Sequence, residues 1–103
     1  TRYMEMLRIL AERHPDHPAY QAEEIRALIR SGRLQEAEAA CAAFRQRHPD
    51  AELPLILMLQ LHQASYDLAK IRETIAAMKQ LPTRLSNEAM QALRYWDGGA
   101  VRE

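Results

Sequence analysis

The fold of this chain is decided by its most apolar stretch, residues 50–66, which read DAELPLILMLQLHQASY. Leu, Ile and Met occupy most positions between 53 and 61, so a helix here has almost no polar face. Such a helix is either buried by neighbours on several sides or presents an apolar surface to a partner. We interpret it as the central helix of a small helical stack.

The composition favours one small all-α domain. The 103 residues suffice for a single hydrophobic core, Gly is scarce, and the strong helix formers Ala, Leu, Glu, Arg and Gln are abundant. The formal net charge is zero, which argues against a general nucleic-acid binder because such proteins need a basic surface. No apolar run approaches the roughly 20 residues that cross a bilayer, so we expect no membrane span.

The chain contains a single cysteine, Cys41. One cysteine excludes an intramolecular disulfide and a cysteine zinc site. It fits a reducing compartment such as the cytoplasm, although a periplasmic protein could also carry it. Cysteine usage therefore leaves the compartment open.

The sequence contains an internal repeat. The tetrapeptide RHPD begins at position 13 and again at position 47, which gives a period of 34. The segment before each copy carries an apolar stripe at helical spacings of three and four, and a third stripe follows one period later. The three stripes are Tyr3, Leu7 and Leu10; Ala37, Cys41 and Phe44; and Ile71, Ile75 and Met78.

This period resembles that of the tetratricopeptide (TPR) family, whose repeat is a helix–turn–helix with a proline closing the second helix. Residues 31–34 match the turn inside such a repeat, where Gly32 ends a helix. The family's second-helix pattern is matched by Ala37, Cys41, Phe44 and Pro49. The resemblance covers nearly the whole chain and implies antiparallel helix pairs stacked as a right-handed TPR-like α-solenoid of about six helices.

The first helix of each repeat departs from the family pattern, so the array is a divergent one. The places where the family carries Trp, Leu-Gly and Tyr hold other residues in all three units. These are Gln21, Glu24-Ile25 and Leu28; Leu55, Met58-Leu59 and His62; and Ala89, Ala92-Leu93 and Trp96.

The repeat register predicts one TPR-like domain over residues 1–103. Residues 1–15 would form the second helix of a partial repeat, 16–49 and 50–83 two repeats, 84–97 the first helix of a partial repeat, and 98–103 a tail. The predicted helices cover 2–13, 18–30, 34–47, a central segment capped by Asp50 and ending near Ser65, 68–80, and 87–96 capped by Ser86.

The first predicted helix carries apolar residues that no other segment is expected to cover. Repeat arrays bury the apolar face of each unit on its neighbours. We therefore expect the natural protein to extend upstream, and the alternative is that this face pairs with another copy of the chain. The residues concerned are Tyr3, Met4, Met6, Leu7 and Leu10.

The TPR resemblance implies a concave groove lined by the first helices of successive repeats. A groove with an apolar floor and flanking arginines suits a peptide or partner helix with apolar anchors and acidic groups. Arg26, Gln60 and Arg94 are spaced by one repeat period and should form a row across it. The expected partner-binding residues are Arg26, Arg30, Leu53, Ile56, Leu57, Gln60, Gln63, Met90 and Arg94.

A second interpretation of the same residues stays open. Leu53, Ile56 and Leu57 would then pack inside the protein, and the arginines would be solvated surface residues paired with Glu23 or Glu24. Register alone does not decide between the two interpretations, because it does not reveal whether the apolar strip is exposed.

No residue pattern indicates catalysis, and we expect no enzyme, no cofactor and no metal. His14, Asp16 and His17 suggest a metal site, but a site needs a further, rigidly held ligand, so we interpret them as turn residues. Cys41 lies on an apolar stripe and is interpreted as a core residue.

Three hypotheses for the function follow. The leading one is a protein–protein interaction scaffold that binds a peptide or partner helix in its concave groove, as a segment of a larger bacterial assembly protein. The second is a structural spacer or self-association module that forms homo-oligomers through exposed terminal helices. The third is support of an attached catalytic domain.

Overall fold

Six helices account for most of the chain, which the computed structural model describes over residues 2–14, 17–82 and 84–96. No strand occurs in these ranges, so the all-α prediction is confirmed. The predicted tail, residues 98–103, and Asp16 lie outside the described residues. The helices are α1 (Arg2–Arg13), α2 (Pro18–Arg30), α3 (Leu34–Arg47), α4 (Leu53–Ala64), α5 (Leu68–Lys79) and α6 (Asn87–Tyr95).

Side-chain caps mark the start of α5 and the start of α6. The Asp67 carboxylate accepts a hydrogen bond from the backbone N–H of Lys70 at the start of α5. The Ser86 hydroxyl accepts one from the backbone N–H of Ala89 at the start of α6, as predicted. Each cap satisfies an N–H group that has no partner inside its helix.

The predicted cap of the central helix is wrong. α4 begins at Leu53 with Glu52 at the N-cap position, and Asp50 lies in the preceding turn. Pro54 stands in the first turn of α4, where its missing N–H and fixed φ suit a helix start. The proline thus places the start of the helix three residues after Asp50.

The turn between α2 and α3 and the turn between α4 and α5 have the same hydrogen bonds, one repeat period apart. The Ser31 hydroxyl donates to the carbonyl of Ala27 at 2.9 Å, and the Ser65 hydroxyl donates to the carbonyl of Leu61 at 3.3 Å. The helix ends that carry the RHPD sequence also match. His14 N–H donates to the Leu10 carbonyl at 2.9 Å, and His48 N–H donates to the Phe44 carbonyl at 3.0 Å. The sequence repeat is therefore also a repeat of backbone geometry.

Gly32 and Tyr66 occupy equivalent positions in these two turns, and both have positive φ, 78° and 56°. This left-handed conformation is easy for glycine and strained for a side chain with a Cβ atom. Tyr66 is 89% exposed, so its side chain makes little contact that could offset the strain.

Tyr66→Gly should therefore stabilise the protein, and Gly32→Ala should destabilise it, each by about 1 kcal/mol. A Cβ atom at Gly32 would meet nothing within 4 Å, so the second effect would come from the backbone alone. Urea unfolding of the two variants and the wild type measures both changes. The free energy of unfolding should rise for Tyr66→Gly and fall for Gly32→Ala. An unchanged free energy of unfolding for Gly32→Ala would contradict the strain argument.

The core consists of two buried clusters, and α4 contributes to both. The helix packs against α2, α3 and α5, which covers nearly its whole apolar circumference. Met58 contacts both clusters and joins them. The first cluster contains Ala22, Ile25, Leu28, Ala37, Cys41, Phe44, Leu57 and Leu61, and the second contains Leu55, Ile56, Leu59, Ile71, Ile75, Met78 and Ala89.

Glu52 connects the start of α4 to the start of α6. Its carboxylate accepts hydrogen bonds from the Ser86 backbone N–H, at 2.8 Å, and from the Ser86 hydroxyl. The two residues are one repeat period apart, at the N-caps of equivalent helices. These bonds therefore connect the starts of two helices that the repeat register relates.

Candidate functional site

The predicted row of polar residues lies at equivalent positions of α2, α4 and α6. Arg26 and Gln60 are half-buried, and Arg94 is exposed. Arg30, at the end of α2, and Gln63, in the last turn of α4, are both exposed. These five side chains are the polar members of the predicted partner-binding set.

The arginines differ in their pairing. Arg26 forms an ion pair with Glu23 at 3.1 Å, one helical turn away, as the second interpretation of the sequence expected. Arg30 and Arg94 have no ion-pair partner within the described ranges. An unpaired guanidinium at the surface can donate hydrogen bonds to a partner's carboxylate without first breaking an ion pair within the protein.

The apolar members of the predicted set lie largely inside the protein. Leu57 belongs to the first cluster and Ile56 to the second, and both are buried. Leu53 is half-buried against the first cluster. The expectation that Ile56 and Leu57 form an exposed apolar groove floor is therefore wrong. Both are buried because α2, α3 and α5 surround the helix that carries them.

Met90, the remaining apolar member of the predicted set, lies at the surface. It is exposed, but its equivalents in α2 and α4, Ala22 and Ile56, are core residues. Met90 precedes Arg94 by one helical turn, so the two residues are neighbours on the surface of α6.

A hollow of about 420 Å³, which the sequence did not predict, lies between α3 and α4. A neighbouring hollow of about 210 Å³ extends it to α5 and shares Glu38, Arg45, Met58 and His62 with it. At one side the Lys70 ammonium pairs with Glu38 at 3.3 Å. The larger hollow is lined by Glu38, Cys41, Ala42, Arg45, Gln46, Pro49, Met58, Leu61 and His62.

A hollow of about 400 Å³ between α1, α2 and α3 shares four lining positions by repeat register with the hollow between α3 and α4, and Arg8, Glu12, Glu24 and Arg47 are among its lining residues. Glu24 stands here at the place of Met58, and Arg8 at the place of Ala42. Burial, and next the nearby Glu12, raise the pKa of the Glu24 carboxyl, while Arg8 opposes the shift. The substitution is reversed at a third equivalent place, where Ala11 lines this hollow and Arg45 lines the hollow between α3 and α4.

Cys41 and His62 both line the hollow between α3 and α4, but they do not form a reactive pair at neutral pH. Burial, with a smaller effect of Glu38, raises the pKa of the Cys41 thiol to about 12. The thiol therefore stays protonated and lacks the thiolate that nucleophilic catalysis requires. This chemistry agrees with the interpretation of Cys41 as a core residue.

Burial, and next the Lys70 ammonium, lower the pKa of His62. Asp67, Glu38 and Glu73 act in the opposite direction without reversing the shift. His62 is accordingly neutral at pH 7, where its buried ring costs less than an imidazolium would.

Because the pKa of His62 is lower in the folded than in the unfolded state, the contribution of His62 to stability is complete above pH 6.5 and is lost as the pH falls through the folded-state pKa. His62→Leu should reduce the loss of stability between about pH 7 and pH 5. Leucine fits here because Leu28 is buried at the equivalent position. Urea midpoints across this pH range measure the effect. His17→Leu, at an exposed site, is the control, and equal slopes for wild type and His62→Leu would contradict the assignment.

His14, within the first RHPD copy, and His17, directly after it, form an aromatic cluster with Tyr20. The rings of His14 and His17 lie 5.8 Å apart, and each lies 5.5 Å from the Tyr20 ring. In the described part of the chain, no group of three or more His, Cys, Asp or Glu side chains could hold a metal ion.

None of the described helices has the length and apolar character that a membrane span requires. Comparison with protein-family models, with curated proteins and with solved structures finds no match to this chain. The arguments for function therefore rest on its own residues and their arrangement.

Proposed function

We propose that the chain is a short right-handed TPR-like α-solenoid that acts as a protein–protein interaction scaffold. Its partner would be a peptide or helix with acidic groups, bound along the surface of α2, α4 and α6. In this proposal Arg30 and Arg94 hold the acidic groups, and Gln60 and Gln63 donate or accept further hydrogen bonds.

The repetition of the turns at the sequence period carries this proposal. Equivalent turns, at Gly32 and Tyr66, give α2 and α4 the same relation to the helices that follow them. α2 also packs directly against α4, its equivalent one repeat later. Side chains at equivalent positions of neighbouring helices can then contact successive groups of one extended ligand.

The charges of the exposed surface support an acidic partner. Arg30 and Arg94 have no ion pair within the described residues, whereas Arg26 is already bonded to Glu23. A planar guanidinium can hold a carboxylate through two parallel hydrogen bonds, which gives selectivity as well as affinity. We therefore assign the larger share of binding to Arg30 and Arg94.

A displayed library of random peptides tests the proposal. Peptides selected on the wild-type protein should be rich in Asp and Glu, and their affinity is then measured by fluorescence anisotropy. Arg30→Glu with Arg94→Glu should weaken binding at least about tenfold, since each charge-assisted hydrogen bond contributes about 1.5–3 kcal/mol.

The matched control is Arg45→Glu with Arg84→Glu, which changes the net charge equally at two other exposed arginines. Its affinity should stay close to that of the wild type. Equal losses in both double variants would show non-specific charge attraction, and neutral or basic selected peptides would contradict the assigned partner.

A further inference from the structure

The apolar stripe of α1 is less covered than the equivalent stripes of α3 and α5. Tyr3 is 48% exposed, whereas its equivalents Ala37 and Ile71 are 0% and 1% exposed. Ala37 shares a buried cluster with residues of α2, and Ile71 shares one with residues of α4. Met6 and Ile9 are also exposed and widen the uncovered face of α1. The exposed face of α1 is therefore equivalent to the faces of α3 and α5 that α2 and α4, the first helices of their repeats, cover.

α6 also has an apolar face that is less covered than the equivalent faces of α2 and α4. Met90 is 44% exposed, whereas its equivalents Ala22 and Ile56 are 2% and 5% exposed. Ala22 shares its cluster with residues of α3, and Ile56 shares its cluster with residues of α5. The open face of α6 is thus of the kind that the second helix of a repeat covers.

By repeat register, the open faces of α6 and α1 carry the residues that would form a third pair of packed helices, equivalent to α2–α3 and α4–α5. Ile25 and Ala37 lie in the first cluster, and their equivalents one repeat later, Leu59 and Ile71, lie in the second. The next equivalent of Leu59 is Leu93 of α6, which is half-buried. The preceding equivalent of Ala37 is Tyr3 of α1. These two residues lie on helices that pack against different clusters, α1 against the first and α6 against the second.

We infer that copies of this chain associate head to tail, with α6 of one copy covering the apolar face of α1 of the next. The contact rebuilds between two copies the pairing that α2–α3 and α4–α5 make within one. It joins two different faces, so every added copy leaves one open α1 face and one open α6 face, and assembly continues beyond a dimer. Arg30 lies on α2, outside both open faces, whereas Arg94 follows Met90 by one helical turn on α6. Association is measured without any peptide, so its outcome is separate from that of the peptide-binding experiment.

Sedimentation velocity from about 1 µM to about 1 mM tests the inference, since weak contacts have dissociation constants in this range. The weight-average mass of the wild type should rise with concentration past that of a dimer. Tyr3→Glu and Met90→Glu should each remain monomeric in the same range, because each places a charge at the apolar contact. An equimolar mixture of the two should form a dimer and nothing larger, because each variant keeps one intact face.

Tyr66→Glu is the matched control, since it places the same charge at an exposed tyrosine outside both faces, and it should associate like the wild type. Circular dichroism checks each fold, and Met6→Glu replaces Tyr3→Glu if that variant unfolds. A wild type that stays monomeric would overturn the inference. So would a dimer that survives Met90→Glu, which would indicate a symmetric contact between two α1 helices.

Discussion

Replacing Leu57 by Asp should unfold the protein. Leu57 is 0% exposed and lies among the apolar side chains of the first cluster. Burying an unpaired carboxylate costs several kcal/mol, and Leu→Ala changes in cores already cost about 2.7–5 kcal/mol. Since a domain of this size is stable by about 5–15 kcal/mol, the added charge removes most or all of that margin. Circular dichroism at neutral pH should show loss of helix.

Leu68→Asp is the matched control, because the same substitution is made at an exposed leucine. Leu68 is the first residue of α5, where a negative charge interacts favourably with the free N–H groups of the helix. Its stability should stay within about 0.5 kcal/mol of the wild type. A folded Leu57→Asp protein would show that Leu57 reaches solvent, and the groove interpretation of this residue would return.

Phe44→Ala should have the next largest effect, a loss of about 3–5 kcal/mol in the free energy of unfolding. The Phe44 ring is buried in the first cluster, and the His48 ring stands edge-on to it at 5.3 Å. It also lines the charged hollow between α1, α2 and α3, so its removal would enlarge a space that is already open. Urea unfolding followed by circular dichroism measures the change.

Phe44→Leu is the milder comparison, with an expected loss below about 1.5 kcal/mol, since it keeps an apolar side chain of similar bulk. Met78→Ala tests the equivalent position one repeat later, which is also fully buried, and should cost about 2–5 kcal/mol. A loss below about 1 kcal/mol for Phe44→Ala would indicate that the helices close over the vacated space.

Much of the fold could be predicted because it depends on local chemistry. Prolines, Gly32 and the cap at Ser86 act within a few residues of the chain, so their positions fix helix starts and ends. The repeat period then related these elements to each other. Asp50 failed as a cap because Pro54, a competing local signal, sets the start of α4.

The candidate site was predicted less well, for a reason that lies in α4. In a helix with one polar face, the sequence shows which side is exposed to water. α4 is apolar all round, so its sequence does not show which side is exposed. The sequence therefore left Ile56 and Leu57 between a groove and the interior, and the structure buries both. The second interpretation of the sequence predicted the pairing of Arg26 with Glu23, since residues three apart on a helix are neighbours.

The sequence by itself determined the helices, their turns and the repeat period, because hydrogen bonds between near neighbours and helical periodicity decide these features. Only the tertiary structure decided which side chains are covered. The hollow between α3 and α4 forms only where α3 brings Cys41 beside Met58 of α4. The contrast between exposed Tyr3 and buried Ala37 likewise depends on the packing of whole helices. Burial depends on which residues distant in sequence come together, and a local pattern does not encode that.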